Sequence, residues 1–155
     1  MDFLNNIDPV IRTFAMAMLP VVELRGAIPL GIAMGLTHFE SLVISFLGSM
    51  IPVPFILTLF RPITSWMRST ALFKKLVKRV VDRTMEKEKT IKDFGLLGLL
   101  ILVAIPLPGT GVWSGSFLSS LLNIRKRRAI PIIAIGNIIA GILVLSITFG
   151  ISQIF

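Results

Sequence analysis

The chain alternates apolar runs with short polar breaks. The runs fall at 9–19, 27–36, 41–60, 93–105, 112–122 and 129–149. Their lengths differ, and length decides what each can do. A helix needs about 20 residues to cross a hydrocarbon core of ~30 Å. Only 41–60 and 129–149 reach that length, and they are expected to be transmembrane helices. Residues 9–19 at ~1.5 Å per residue extend only ~16 Å. Asp8 fits an N-cap there, Pro9 fits a first helical position, and Pro20 ends the run. Residues 27–36 are a second short helix, followed by a polar turn at 37–40. Two half-length helices around a break predict a re-entrant hairpin over 9–36, or else one long broken crossing. Pro52 and Pro54 are expected to bend the span 41–60.

Residues 61–92 hold ten Lys or Arg against Asp82, Glu86 and Glu88. Phe73, Leu76, Val77, Val80, Val81 and Met85 recur among them at helical spacing. The pattern predicts an amphipathic basic helix over 68–92, lying on the membrane surface and touching anionic lipid. A run of four cations, Arg125 to Arg128, forms a second basic block. Fourteen of the sixteen Lys and Arg lie in these two blocks, which places both on the cytoplasmic side. Residues 93–124 must then leave that side and return, with too few residues for two crossings. A second re-entrant hairpin over 93–122 is expected, with Asp93 as its N-cap.

The two halves, 1–67 and 93–155, share one order: short helix, Pro/Gly break, short helix, long span. Residues 44–51 lie over 132–139 with Gly48 and Gly136 in register. The long spans run in opposite directions, so the halves read as an inverted repeat. The fold class is therefore all-α integral membrane, a single domain with hairpins entering from opposite sides.

Composition agrees. The 155 residues are 54% hydrophobic and 15% charged, with mean hydropathy +0.88, too apolar for a domain with a polar surface. There is no cysteine and one histidine, His38. Disulfides, thiol chemistry, a His-rich metal centre and a Ser-His triad are excluded, so no enzyme, cofactor or metal is expected. The basic charge marks a cytoplasmic face rather than nucleic acid. The start, 1–6, lacks the basic region and cleavage site of a signal peptide. Insertion is expected to use internal segments of a multi-pass protein of a prokaryotic cytoplasmic membrane. Gly48 and Gly136 are small enough for close packing within one protomer or between two, and a homodimer is expected.

The chemistry is expected at the breaks. Charges at membrane depth cost about 2.5–3.5 kcal/mol or more each, yet Glu23 and Arg25 lie in the first break. Helices starting near Ala27 and Val112 would point their positive ends at the midplane. With Arg25, which can hold a phosphate bidentately, they favour an anion. Glu23 would neutralise Arg25 in the empty site, or carry a coupling proton. Unwound carbonyls before each tip would alternatively hold a cation. The plainer reading is an ion pair pinning the hairpin, with tight turns at Pro106, Pro108, Gly109 and Gly111 and Trp113 as a packing residue. Asn137 would bond across helices. The candidate binding residues are Glu23, Arg25, Gly26, Pro108, Gly109, Thr110, Gly111 and Trp113.

Pro20-Val21-Val22-Glu23-Leu24-Arg25-Gly26-Ala27-Ile28-Pro29-Leu30-Gly31 and Ile105-Pro106-Leu107-Pro108-Gly109-Thr110-Gly111-Val112-Trp113-Ser114-Gly115 resemble the two signatures of the small multidrug export proteins of bacteria and archaea. That family is distantly similar to the DedA (VTT-domain) membrane proteins. The resemblance implies two opposed re-entrant hairpins and, for DedA relatives, proton-coupled translocation of polyprenyl phosphates or other phospholipids. The chain departs from DedA at one point: no acid precedes Pro106 within 99–105, and the membrane-depth carboxylate is Glu23 in the other hairpin. Three functions follow as expectations: a lipid-phosphate translocator, a small-molecule exporter using Glu23, and a membrane scaffold recruiting partners through 68–92. The paired breaks count against the scaffold.

Overall fold

A computed structural model describes residues 8–69, 88–107 and 109–154. All regular structure among them is α-helical. Helix α1 is Pro9–Met18, opened as expected by Asp8, whose Oδ1 accepts from Val10 N–H at 2.8 Å. Leu19 leaves the helix in extended conformation, as a residue before proline must. Helix α2 is Glu23–Ala33. It starts four residues earlier than expected, so Glu23 and Arg25 lie in its first turn rather than in an unwound stretch. The turn at 19–22 feeds it directly, with Glu23 N–H donating to Leu19 O at 2.9 Å.

Helix α3, His38–Met50, opens with a Thr37/Glu40 capping box. Ile51 interrupts it, and α4, Pro52–Ser69, continues with Pro52 at its start. The expected bend in the first span is thus a break ahead of Pro52. Helix α5 is Glu88–Ala104. Asp93 is inside it and is not an N-cap. Helix α6 is Val112–Leu121 and α7 is Lys126–Ile154, longer at both ends than the span read from sequence. Most of the expected surface helix 68–92 lies outside the described residues, as does Pro108.

The same device closes α2 and α6. Leu36 N–H reaches Gly31 O at 3.0 Å and Gly35, at φ +96°, bonds Ile32 O. Ile124 N–H reaches Ser119 O at 3.0 Å and Asn123, at φ +54°, bonds Ser120 O. Both are Schellman ends, with Gly and Asn as the residue types that accept left-handed backbone.

Helix α1 packs on α2 and α3, and α5 on α6 and α7. Gly48 lets α3 approach the α1 backbone at Phe14, and Gly136 lets α7 approach α5 at Leu100. Both glycines therefore pack within the protomer. Across the halves, α2, α3 and α4 meet α7, and α4 meets α6. The core is Val53, Leu57, Leu99, Val103, Val112, Ala129 and Ile133.

Among the described residues, two stretches are long and apolar enough to cross a membrane: His38–Phe60 at mean hydropathy 2.1 and Lys126–Gly150 at 2.5. Phe55, Leu59, Ile135 and Ile147 on them are exposed. Large apolar side chains spread over the outward faces suit lipid, not water. The stretches run antiparallel: Ser49 meets Asn137, Leu42 faces Gly141, and Lys126 Nζ donates to Thr58 Oγ1 at 2.9 Å.

Asn137 Nδ2 donates to the buried Ser49 Oγ at 2.8 Å, the cross-helix bond expected of it. In lipid such bonds contribute about 0.6–2 kcal/mol. Asn137→Ala is expected to lose that amount in detergent unfolding, and Ser49→Ala should then add little. Equal additive losses in the double mutant would show the two side chains to be uncoupled.

Candidate functional site

The first turn of α2 meets the break between α5 and α6. Glu23, the first residue of α2, is buried and holds φ +47°, a region non-glycine residues rarely enter. Its carboxylate serves another helix. Glu23 Oε1 accepts from the Trp113 N–H at 3.2 Å. That N–H lies in the first turn of α6, where no helical carbonyl can satisfy it. The N-cap residue of α6 is Gly111, which has no side chain to do so. Gly111 has φ +128°, and a Cβ there would overlap the Glu23 carboxylate. The missing side chain makes room for the acid.

Arg25 serves the other arm. Its Nη1 donates to Leu107 O at 2.9 Å and to Thr110 O. Its Nη2 donates to Val103 O at 3.2 Å and Ile105 O at 3.0 Å. These carbonyls close α5 and continue through the turn after it. A cation at a helix C-terminus and an anion at an N-terminus each complement the local helix dipole. Arg25 Nη1 also lies 3.7 Å from Glu23 Oε2, an ion pair with little exposure on either side. Trp113 returns the contact: its Nε1 donates to Met18 O at 3.3 Å, at the end of α1. Each break is thus tied to the other by groups that its own helices leave unsatisfied. Inside the second break, Thr110 Oγ1 donates to Ile105 O and Leu107 O, and Ser114 Oγ to Gly109 O.

Glu23, Arg25, Thr110, Gly111 and Trp113 therefore come together. Gly109 is exposed on the turn, and Gly26 faces Val22, where a Cβ would meet Cγ1 at 2.8 Å. Two expectations change. The carbonyls that seemed open to a cation are held by the Arg25 guanidinium. Arg25 in turn has both Nη nitrogens engaged by carbonyls, so what it offers the groove beside it is its charge rather than a free bidentate fork. Trp113 packs against the core, as the plainer reading has it, and its ring N–H is bound as well.

Beside Arg25 opens a groove of about 440 Å³, lined by Arg25, Pro29, Pro106, Val144, Ile147 and Thr148. Arg25 is the charged member of an otherwise mainly apolar wall. Val144, Ile147 and Thr148 were not legible as site residues, since one face of an apolar span looks like any other. Among the described residues, no group of three His, Cys, Asp or Glu stands where it could hold a metal.

Long apolar helices with lipid-suited faces, around a junction of helix breaks holding one ion pair, define a helical membrane protein. The chain belongs to the family described as "Putative small multi-drug export protein", whose sequence model matches residues 23–143. The match covers the first break from Glu23 onward and the whole of the second, and the family's description points to transport rather than catalysis. No curated protein and no solved structure matches the chain.

Proposed function

We propose that this protein is a multi-pass transporter of a prokaryotic cytoplasmic membrane that moves a phosphate-bearing lipid, such as a polyprenyl phosphate, along the groove at Arg25. The composition of that groove carries the reading. Pro29, Pro106, Val144 and Ile147 suit a hydrocarbon chain, and Arg25 is the charge able to attract its headgroup. The DedA resemblance supports the same substrate class.

We read the two halves as an inverted repeat with re-entrant hairpins at 9–36 and 93–122. A constant spacing supports this. Ser49 and Asn137, 88 residues apart, bond to each other across antiparallel α3 and α7. The same spacing relates Gly35 to Asn123 at the left-handed helix ends, and His38 to Lys126 at the starts of α3 and α7. It also relates Arg25 to Trp113, the two side chains that donate across the junction. In this reading the basic blocks 61–92 and 125–128 face the cytoplasm, and the site sits near the midplane.

The family's description favours a second reading, export of small molecules with Glu23 as cation or proton site. Purified protein in liposomes separates the two. Movement of a polyprenyl phosphate without movement of a cationic dye is expected. Dye transport that disappears in Glu23→Gln, with the lipid left in place, would establish the exporter instead.

A further inference from the structure

We infer that a second groove lies shut between α4 and α6, the inverted counterpart of the open one at Arg25, and that Phe60 and Phe117 are its gate. The inference rests on the transporter reading and its repeat, and it names where a substrate's hydrocarbon chain would sit next. The open groove lies between α2 and α7, with Pro29 and Thr148 in its wall. The repeat spacing is 88 residues, the separation of Ser49 and Asn137. Moved by that spacing, Pro29 falls on Phe117 of α6 and Thr148 on Phe60 of α4. There the two rings meet edge to face, with centroids 5.5 Å apart and planes at 84°. What one side leaves as space, the other fills with an aromatic pair.

The difference recurs at two further places. His38 and Ser146 line a cavity of about 410 Å³ together with Leu145 and Phe149. Their counterparts Lys126 and Thr58 are joined directly, Nζ donating to Oγ1 at 2.9 Å. Val144 and Leu145 are half-buried, whereas Ile56 and Leu57 at the matching places are 6% and 0% exposed. Each comparison has the α4 side shut and the α7 side open. The sequence supplies a cause. Pro52 has no N–H to continue α3, so the first span breaks at Ile51 and α4 packs on α6. Ala140 stands at the place of Pro52, and α7 runs unbroken through it from Lys126 to Ile154. Its last turns stay in line and leave the groove beside α2.

An aromatic pair suits a gate. Phe117 is 40% exposed, so its ring can swing outward without opening a hole in the core. The edge-to-face contact itself biases an equilibrium by no more than about tenfold. The walls uncovered would be Ile56, Leu59 and Trp113, at the places of Val144, Ile147 and Arg25. They are apolar, so this groove takes a hydrocarbon chain and offers no cation to a headgroup. Bending α7 at Ala140 and Gly141, as the first span bends at Ile51, would close the open side in exchange. A glycine inside a helix makes such a bend less costly. Phe60 adjoins the basic block 61–92, and residues 144–148 lie at the far end of α7 from 125–128. The two grooves therefore open toward opposite faces.

The chain has no cysteine, so a single introduced thiol reports alone. The test treats Val144→Cys, in the open groove, and Ile56→Cys, behind the gate, with a membrane-impermeant thiol reagent. The full chain is held in right-side-out and in inverted membrane vesicles. Val144→Cys is expected to react from one face, and Ile56→Cys far more slowly from the other. Adding Phe117→Ala or Phe60→Thr is expected to speed Ile56→Cys up to about tenfold. The same change should slow Val144→Cys, because opening one side closes the other. The two gate variants lie on different helices, so either one that folds carries the test. If Ile56→Cys reacts no faster in either variant, or speeds up while Val144→Cys keeps its full rate, the rings are packing and the gate is overturned. Labelling needs no substrate, so the gate and the transporter reading are judged apart. Lipid movement in liposomes without exchange of reactivity overturns the gate alone. Exchange of reactivity without movement of lipid or dye supports the gate as a two-state contact and overturns the transporter reading.

Discussion

Arg25→Ala is expected to abolish transport and also to lower stability in detergent by about 2–4 kcal/mol, the scale for losing hydrogen bonds to a charged group without full additivity. A role in headgroup binding alone would leave the fold of such a variant intact. The geometry demands more, because Arg25 caps four carbonyls at 103, 105, 107 and 110, of which Ile105 O and Leu107 O also accept from Thr110 Oγ1 and from the Leu107 and Thr110 N–H groups. Removing the guanidinium takes a charged donor from all four carbonyls, a loss that costs most wherever lipid rather than water surrounds them. Arg25→Lys separates charge from shape. It keeps a positive charge near the end of α5, but one ammonium has three donors and no planar fork. It is expected to recover only a minor part of the lost stability. Thermal unfolding followed by tryptophan fluorescence measures both variants. An Arg25→Ala protein that melts like wild type would show that the guanidinium does not hold the second break.

The breaks themselves were legible, because prolines, glycines and charges interrupt apolar runs that have no other reason to stop. The Asp8 cap, the bend ahead of Pro52 and the cross-helix role of Asn137 were legible for the same local reasons. The partners of Glu23 and Arg25 were not. Trp113 lies 90 residues from Glu23, and Leu107 lies 82 residues from Arg25. No periodicity encodes such a pairing. It also explains why α2 starts at Glu23 rather than Ala27. Charges and Gly26 read locally as a break, but the Glu23 carboxylate meets the Trp113 N–H across the junction, and the turn at 19–22 delivers the chain into helix there. Gly111 carried a readable sign in hindsight of chemistry alone: a glycine opening a helix, with no capping side chain, leaves an N–H that something else must meet.

That glycine gives the second large effect. Gly111→Ala is expected to destabilise the protein by about 2–4 kcal/mol, from two sources that can be separated. The first is backbone strain: φ +128° with ψ −160° is a region open essentially to glycine, and forcing alanine into it costs on the order of 1–3 kcal/mol. The second is collision, since the new Cβ would overlap the Glu23 carboxylate and push it from Trp113 N–H. Gly109→Ala is the control for strain alone, because Gly109 sits at φ +81° with nothing within 4 Å of an added Cβ. Glu23→Ala combined with Gly111→Ala is the control for collision, because shortening the acid vacates the space. The double mutant is expected to lose less than the two single losses together, by about 0.5–3 kcal/mol, as contacting residues do. Strict additivity would mean that Gly111 is required only for its dihedral angles, and that the acid and the start of α6 meet without depending on each other.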